Sequence, residues 1–295
     1  MSTIYDNILC GAKIDAYTTL FGKITMYVCP KCKGELRDLR CEVCQVTYPT
    51  TDGIPCFMTG QLGASNEAIR EIYDEIYLHH EDVWIDQGRA GDFQRYFSEL
   101  LGNLKHDRLL EIGCGEGTLL AALPGNQKFG IDPSVHALRR ARARSRAECA
   151  IARCEQLPFP DGGFDVVVAV GVMEHFEKID AAIAEIRRVL APSGHYIALI
   201  QTDLTRSQRL TLKTRQYLYP KFRPLELIRW FGKLLKKTIR HPIVQPLRKA
   251  YTTESAKDCL ERNGLRVTRI ITQKTEPSAP LGGPHVVVLV SYAGT

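Results

Sequence analysis

The sequence predicts an α/β protein in which strands and helices alternate, with a small cysteine-rich module in front. Three observations carry the prediction. An apolar strand at 109–112 runs directly into the glycine loop Gly113-Cys114-Gly115-Glu116-Gly117, and a helical stretch follows. A second strand, 128–132, ends in an acid, Asp132, nineteen residues after Gly113. Near the N-terminus, four cysteines form two Cys-x-x-Cys pairs. Strands alternating with helical patterns imply βαβ units, and therefore helices on both faces of a sheet.

At 295 residues the chain suits one large domain plus a small module. A hydrophobic fraction of 44% and a charged fraction of 24% are ordinary for a globular protein in water. No apolar run approaches the roughly 20 residues that span a bilayer; the longest, 166–173, is strand-length. Asp6, Lys13 and Asp15 interrupt any apolar signal-peptide core, so a cytoplasmic location is expected. The ten cysteines then read as thiols or metal ligands before disulfides.

Cys29 and Cys32 form the first pair, and Cys41 and Cys44 the second, eight residues on. Two residues between thiols let both sulfurs of a tight turn face one ion, at about 2.3 Å from zinc, and two such turns close a tetrahedron. Four protein ligands leave no open position for water, so the zinc is expected to be structural. With Cys29-Pro30 opening the first knuckle and Tyr48-Pro49 and Asp52-Gly53-Ile54-Pro55 closing the module, residues 24–58 resemble the Trm112-like zinc ribbon family. The zinc-bearing ribosomal RNA guanine methyltransferases have a histidine as fourth ligand and wider spacing; this chain has Cys44 there. Cys10 and Cys56 lack partners at ligand spacing and read as packed thiols.

From Ser65 the pattern turns helical. Ser65 is a fitting cap, Glu67, Glu71, Asp74 and Glu75 load the early turns with acid, and Ile69, Ile72, Tyr73 and Ile76 recur at helical spacing. A second helix is expected over 92–101. Tyr73, Tyr77, His79 and His80 either line a site closed by these helices or serve only in packing and at the surface.

The glycine loop permits close backbone approach and positive φ, and the helix after it presents N–H groups at its start. Its spacing is Gly-x-Gly-x-Gly, not the Gly-x-Gly-x-x-Gly of pyrophosphate binders, and Glu111 precedes it. A carboxylate at Asp132 is placed to accept hydrogen bonds from ribose hydroxyls. The segment Leu157-Pro-Phe-Pro-Asp-Gly-Gly-Phe-Asp165 leads into a buried strand at 166–170 and on to Met173-Glu174-His175. A helix over 179–190, Pro192-Ser193-Gly194 and a strand at 196–200 follow. A helix over 253–263 closed by Gly264, then strands at 265–272 and 285–291, complete the sheet.

Together these blocks, over 109–200, closely resemble the class I S-adenosylmethionine-dependent methyltransferases of the ubiquinone/menaquinone-biosynthesis-like type (type 11). The resemblance implies a Rossmann-like seven-stranded sheet with helices on both faces and the cofactor, S-adenosylmethionine, at the carboxyl ends of the strands. It implies Gly113, Cys114 and Gly115 against the methionine part, Asp132 on the ribose and Leu157 near the adenine. The expected cofactor set also includes Glu111, Pro133, Cys154, Glu155 and Val170. Family members usually place an aspartate four residues before the leucine; here that position is Arg153, so adenine falls to the Cys154 backbone or to Glu155. His175 is the nearest legible candidate base, with an architectural role as its competitor.

Residues 205–250 form an insert with thirteen Lys or Arg against one acid, Glu226, whereas the whole chain carries only +6. Leu225, Ile228, Phe231, Leu235 and Ile239 make one helical face, and Arg229, Lys233, Lys236, Lys237 and Arg240 make the other. Either the insert is a lid with a solvated basic back, or its basic face meets an anionic substrate or membrane through 224–240, with Trp230 beside the apolar face. The preferred acceptor is a small or lipid-linked, anionic metabolite. RNA base methylation, with ribbon and insert as a clamp, and an inactive interaction module are the rivals. The expected organisation is 1–60 with the ribbon, connecting helices over 61–104, and a cofactor domain over 105–295. Ribbon and cofactor domain are expected to have separate cores.

Overall fold

In the computed structural model, residues 26–58, 64–79, 90–104, 106–202, 249–279 and 286–293 are described. The basic insert through residue 248, Cys10 and His80 lie outside them. Two short hairpins build the N-terminal module: β1 (Arg40–Cys41) pairs with β2 (Val46–Thr47), and β3 (Thr50–Thr51) with β4 (Ile54–Pro55). Helices α1 (Ala64–His79) and α2 (Ala90–Gly102) connect it to the main sheet. Then come β5 (Arg108–Ile112), α3 (Thr118–Ala122), β6 (Gln127–Asp132), α4 (Val135–Ser145), β7 (Glu148–Ile151), β8 (Phe164–Val170) and α5 (Ile179–Val189). The last described elements are β9 (Leu190–Gln201), α6 (Thr253–Arg262), β10 (Leu265–Ile271) and β11 (Val286–Ala293).

The main sheet has seven strands in the order β10-β11-β9-β8-β5-β6-β7. The neighbours β7, β6, β5, β8 and β9 run parallel, and β11 is antiparallel to both β9 and β10. The Rossmann-like α/β fold read from the sequence is therefore present. The chain winds from β5 out to β7, then crosses back to β8 on the other side of β5. That reversal is a topological switch point, and its crevice lies at the carboxyl ends of the strands. Strands covered on both faces are apolar throughout, and Val166, Val167, Val168 and Ala169 are accordingly inaccessible to solvent.

The helix read over 179–190 stops at Val189, and β9 begins at once, earlier than the expected 196. Pro192 has no N–H to give a ladder, and the pairing registers its cost. From Leu190 to His195, β9 advances five residues while β8 advances two, from Phe164 to Val166. The Pro-Ser-Gly stretch is thus a bulge inside the strand.

The expectation of separate cores fails. Tyr27, Cys29, Cys41, Tyr48 and Phe57 belong to the same buried cluster as Leu110, Phe129, Phe159 and Phe164 of the sheet. An aromatic chain joins them: Tyr48 to Phe57 at 5.1 Å, Phe57 to Tyr27 at 5.1 Å, and Tyr27 to Phe159 at 5.6 Å. Ile54 and Cys56 enter the core on the other face, beside Leu138 and Ala141 of α4. The ribbon therefore straddles β7, whose outer edge would otherwise be an unpaired strand. Cys56 bridges Ile151 in parallel, and Phe57 N–H donates to the Ile151 carbonyl at 2.8 Å. Cys56 is buried, as a packed residue should be, but it is disulfide-bonded and not the free thiol the sequence suggested.

Candidate functional site

At the carboxyl edge of the sheet, Gly113, Gly115 and Gly117 all have positive φ, between 51° and 70°. Two of them are also sterically required. A Cβ on Gly113 would lie 2.5 Å from Val172 Cγ2, and one on Gly117 would lie 2.7 Å from the Ala141 backbone. The loop is tied to the next strand because the N–H groups of Gly113 and Cys114 both donate to the Ile131 carbonyl, at 2.8 and 3.0 Å. Cys114 is buried with its Sγ against Gly130, so only its backbone borders the crevice.

Asp132 ends β6 beneath this loop and is 7% exposed. Oδ2 accepts the Gly115 N–H at 3.0 Å, and Oδ1 accepts the Ser134 N–H at 2.8 Å. Burial pushes its pKa up to about 7 against the pull of those donors, and Asp74 adds to the rise. Ser134 caps α4 through the Ala137 N–H and donates its own hydroxyl to Asp74 of α1 at 2.5 Å. Helix α1 thus closes over the strand end. Asp74 was legible only as one acid among several in an early helical turn.

Glu111 lies behind the loop. It is 3% exposed, and burial holds its carboxyl well above the usual range although it accepts the Leu120 N–H. Its Oε2 has no partner among the described residues. Pro133 and Val170 are half-buried at the ends of β6 and β8.

The segment after β7 holds the remaining predicted cofactor residues. Leu157 is inaccessible to solvent, and its N–H donates to Glu185 Oε2 at 2.8 Å. Cys154 is buried with its Sγ toward the Ala182 carbonyl at 3.7 Å. Glu155 Oε1 accepts the backbone N–H groups of Glu177, at 2.8 Å, and Lys178, at 3.4 Å, which fixes the approach to α5. Arg153 pairs with Glu177 at 3.7 Å.

Across the crevice, Met173–His175 form a single 3-10 turn after β8. The Tyr73 hydroxyl lies 3.2 Å from His175 Nε2, and the rings meet edge to face at 5.8 Å. Burial, with the charges of Asp132 and Glu174, pushes the Tyr73 phenol upward. Tyr77 stacks behind Tyr73 at 6.3 Å, whereas His79 is exposed and pairs with Glu75 at 3.3 Å. Of the aromatic and imidazole groups singled out on α1, Tyr73 therefore reaches the site and His79 does not. Glu174 is 2% exposed; Oε1 accepts the Gln201 N–H at 2.7 Å, and Oε2 has no partner among the described residues. Gly171 has φ 64°, and a Cβ there would meet nothing within 4 Å among the described residues.

In the ribbon, the sulfurs of Cys29, Cys32, Cys41 and Cys44 all lie within 4.8 Å of one another. Cys29 and Cys44 are 3.9 Å apart, and Cys32 and Cys41 3.4 Å. Sulfurs at 2.3 Å from a tetrahedral ion would be about 3.8 Å apart. The residue after each second cysteine, Lys33 and Gln45, takes a left-handed conformation, which turns the chain around the two knuckles alike. The Cys44 N–H donates to Cys41 Sγ at 3.3 Å, and the Tyr48 hydroxyl lies 3.1 Å from Cys29 Sγ.

Residues 110–198 match the family described as methyltransferase domain. The demethylmenaquinone methyltransferase of Symbiobacterium thermophilum is 30% identical over 146 residues, covering 44% of this chain and 58% of that protein. The chain spans about half the length of the curated relatives it matches. Two solved structures share the fold. One is the Burkholderia thailandensis 1,6-didemethyltoxoflavin-N1-methyltransferase with 1,6-didemethyltoxoflavin and S-adenosylhomocysteine bound; its TM-score is 0.53 at 15% identity, over 81% of this chain and 94% of that one. The other is a chain from the complex of the Haloferax volcanii Trm112 methyltransferase activator with a methyltransferase, at TM-score 0.52 and 14% identity, over 76% of this chain and 98% of that one.

Proposed function

We propose that the methyltransferase domain of this chain transfers the methyl group of S-adenosylmethionine to an oxygen or nitrogen of a small or lipid-linked metabolite. One observation carries the reading. At the switch point of the sheet, a strand-tied glycine loop meets the buried carboxylate of Asp132, and Asp132 pairs with Ile151, from which the segment 152–157 leaves the sheet. The residues fit such a cofactor. Gly113 and Gly115 leave backbone bare that would face its methionine part, Asp132 keeps lone pairs that would accept ribose hydroxyls, and the backbone near Cys154 would hold the adenine, since Glu155 Oε1 already takes the Glu177 and Lys178 N–H groups. The bound sulfonium supplies a reactive methyl group; the chain's own contribution is positioning, worth up to roughly 7–11 kcal/mol in favourable cases.

On the acceptor side, His175 either takes a proton from the acceptor or holds it in place, with Tyr73 fixing the ring. The four ribbon thiols would hold a structural zinc, since all four positions around the ion are filled by protein. The demethylmenaquinone relative supports a small or lipid-linked acceptor. Among the described residues no helix is long and apolar enough to cross a membrane. The basic segment 224–240 is proposed, on its charge, as the point of contact with an anionic headgroup or substrate.

The test is to incubate the full chain and labelled S-adenosylmethionine with extract fractionated into small molecules, lipids and RNA. Label in the small-molecule or lipid fraction is expected; label confined to RNA would overturn the acceptor class. Changing Lys233, Lys236 and Lys237 together to Glu should leave cofactor affinity intact and reduce turnover or vesicle binding at low salt, where such contacts are least screened. Equal turnover and equal vesicle binding would reduce the insert to a solvated helix face.

A further inference from the structure

The ribbon does more than cover an edge: it is bonded to the segment that leaves β7 for the cofactor crevice. Lys33, in the first knuckle beside Cys32, places Nζ 2.8 Å from Glu185 Oε2 of α5. That same oxygen accepts the Leu157 N–H at 2.8 Å, so one carboxylate atom joins the metal knuckle to the loop. Arg188 completes the clamp. It pairs with Glu185 at 2.7 Å and donates to the carbonyls of Phe159, at 2.7 Å, and Leu157, at 3.2 Å. On the other side of Lys33, its N–H donates to the Cys29 carbonyl at 2.8 Å, and Val28 N–H donates to the Pro158 carbonyl at 3.0 Å. Lys33 and Glu185 are both largely shielded, with side chains 29% and 14% exposed, so their contact is less screened than a surface pair.

We infer that Lys33 is a positioning residue for the cofactor site, through which the metal-bound knuckle holds Glu185 and the Leu157 backbone in place. The inference rests on the methyltransferase reading above and extends it: the ribbon is part of the binding site's framework. A knuckle closed on its ion fixes the Lys33 backbone, whereas an open knuckle frees the ammonium and leaves Glu185 with Arg188 as its one remaining cationic partner among the described residues. Cofactor affinity is thereby linked to metal occupancy.

The experiment uses the full chain with its metal, in wild-type form and as Lys33→Met and Lys33→Arg. Hydrogen exchange is read over residues 153–161, and S-adenosylhomocysteine binding by calorimetry. Lys33→Met should keep its metal and its fold, exchange faster over 153–161, and bind S-adenosylhomocysteine about 2- to 12-fold more weakly, the span of one typical net hydrogen bond. Lys33→Arg should restore both readouts. Chelating the metal from wild type should reproduce the faster exchange. Unchanged exchange over 153–161 in metal-loaded Lys33→Met would overturn the inference. Failure of the wild type itself to bind S-adenosylhomocysteine would overturn the methyltransferase reading instead, and the exchange measurement would still decide the role of Lys33.

Discussion

The two sides of the crevice are built on different plans. On the β7 side, polar groups are committed to one another: Glu185 takes Lys33, Arg188 and the Leu157 N–H, and Glu155 takes two backbone donors ahead of α5. The β8 side is less complete. Among the described residues, Glu174 Oε2 and the hydroxyls of Tyr196 and Tyr251 are buried without partners, and nothing lies within 4 Å of where a Gly171 Cβ would be. Buried polar atoms left unpaired cost about 1–3 kcal/mol each. Among the described residues the first wall is closed by its own bonds and the second is not, so we expect the first to act as a rigid cradle and the second to meet the acceptor. Changes on the cradle side should therefore appear in stability and cofactor affinity, and changes on the other side in turnover.

The largest effect should follow from Cys41→Ser with Cys44→Ser. Structural zinc sites in small modules contribute about 10–16 kcal/mol of apparent binding energy. Here Cys29 and Cys41 are buried in the same cluster as Phe129 and Phe164 of the sheet. We expect zinc binding to be lost, the whole chain to melt at a lower temperature, and unfolding to remain one transition. Calorimetry showing a separate, unshifted transition for the cofactor domain would break the cradle into two independent parts.

Next comes Asp132→Ala. Removing a buried carboxylate that accepts charge-assisted hydrogen bonds should weaken S-adenosylhomocysteine binding by about 1.5–3 kcal/mol, and more if the freed Gly115 N–H lets the loop drift. The pH dependence has a definite sign. Burial raises the Asp132 pKa from 3.8 to about 7. Its contribution to folded stability is then fully present below the unfolded pKa and is lost as pH rises through 7. Binding runs the other way, because ribose hydroxyls donate to the ionised form. Wild-type affinity should tighten as pH rises from 6 to 8, and Asp132→Asn should be flat over that window. A pH-independent wild type would move the ribose contact away from Asp132.

How much of this was legible follows from what each feature costs in sequence. The glycine loop and the four clustered cysteines announce themselves because few residue types tolerate positive φ or bring four thiols together at fixed spacing, and Asp132 because an acid closes the run Phe129-Gly130-Ile131. The strand-helix alternation was legible for the same reason, through its periodicities. Docking of the ribbon was not. Tyr27, Tyr48 and Phe57 meet Phe159 only in three dimensions, and aromatic residues in a small module look the same whether they close its own core or a neighbour's. Lys33 was equally silent, since a lysine between knuckle residues is ordinary until Glu185, far away in sequence, is seen to share its oxygen with Leu157. The early start of β9 was hidden by Pro192, which reads as a strand breaker unless a bulge absorbs it.

The smallest expected effect tests the acceptor wall directly. Tyr73→Phe keeps the ring that meets His175 edge to face and stacks on Tyr77, and removes only the hydroxyl 3.2 Å from His175 Nε2. One neutral hydrogen bond contributes about 0.5–1.5 kcal/mol, so turnover should fall roughly 2- to 12-fold. S-adenosylhomocysteine affinity should hardly change, because Asp132 and the glycine loop keep their partners. If His175 takes a proton, the pH at which turnover half-rises should also shift, since a hydroxyl donating to Nε2 favours the neutral ring. If His175 is only architectural, turnover should fall with no shift in that profile. Weaker cofactor binding with unchanged turnover would place Tyr73 on the cradle side and erase the division between the two walls.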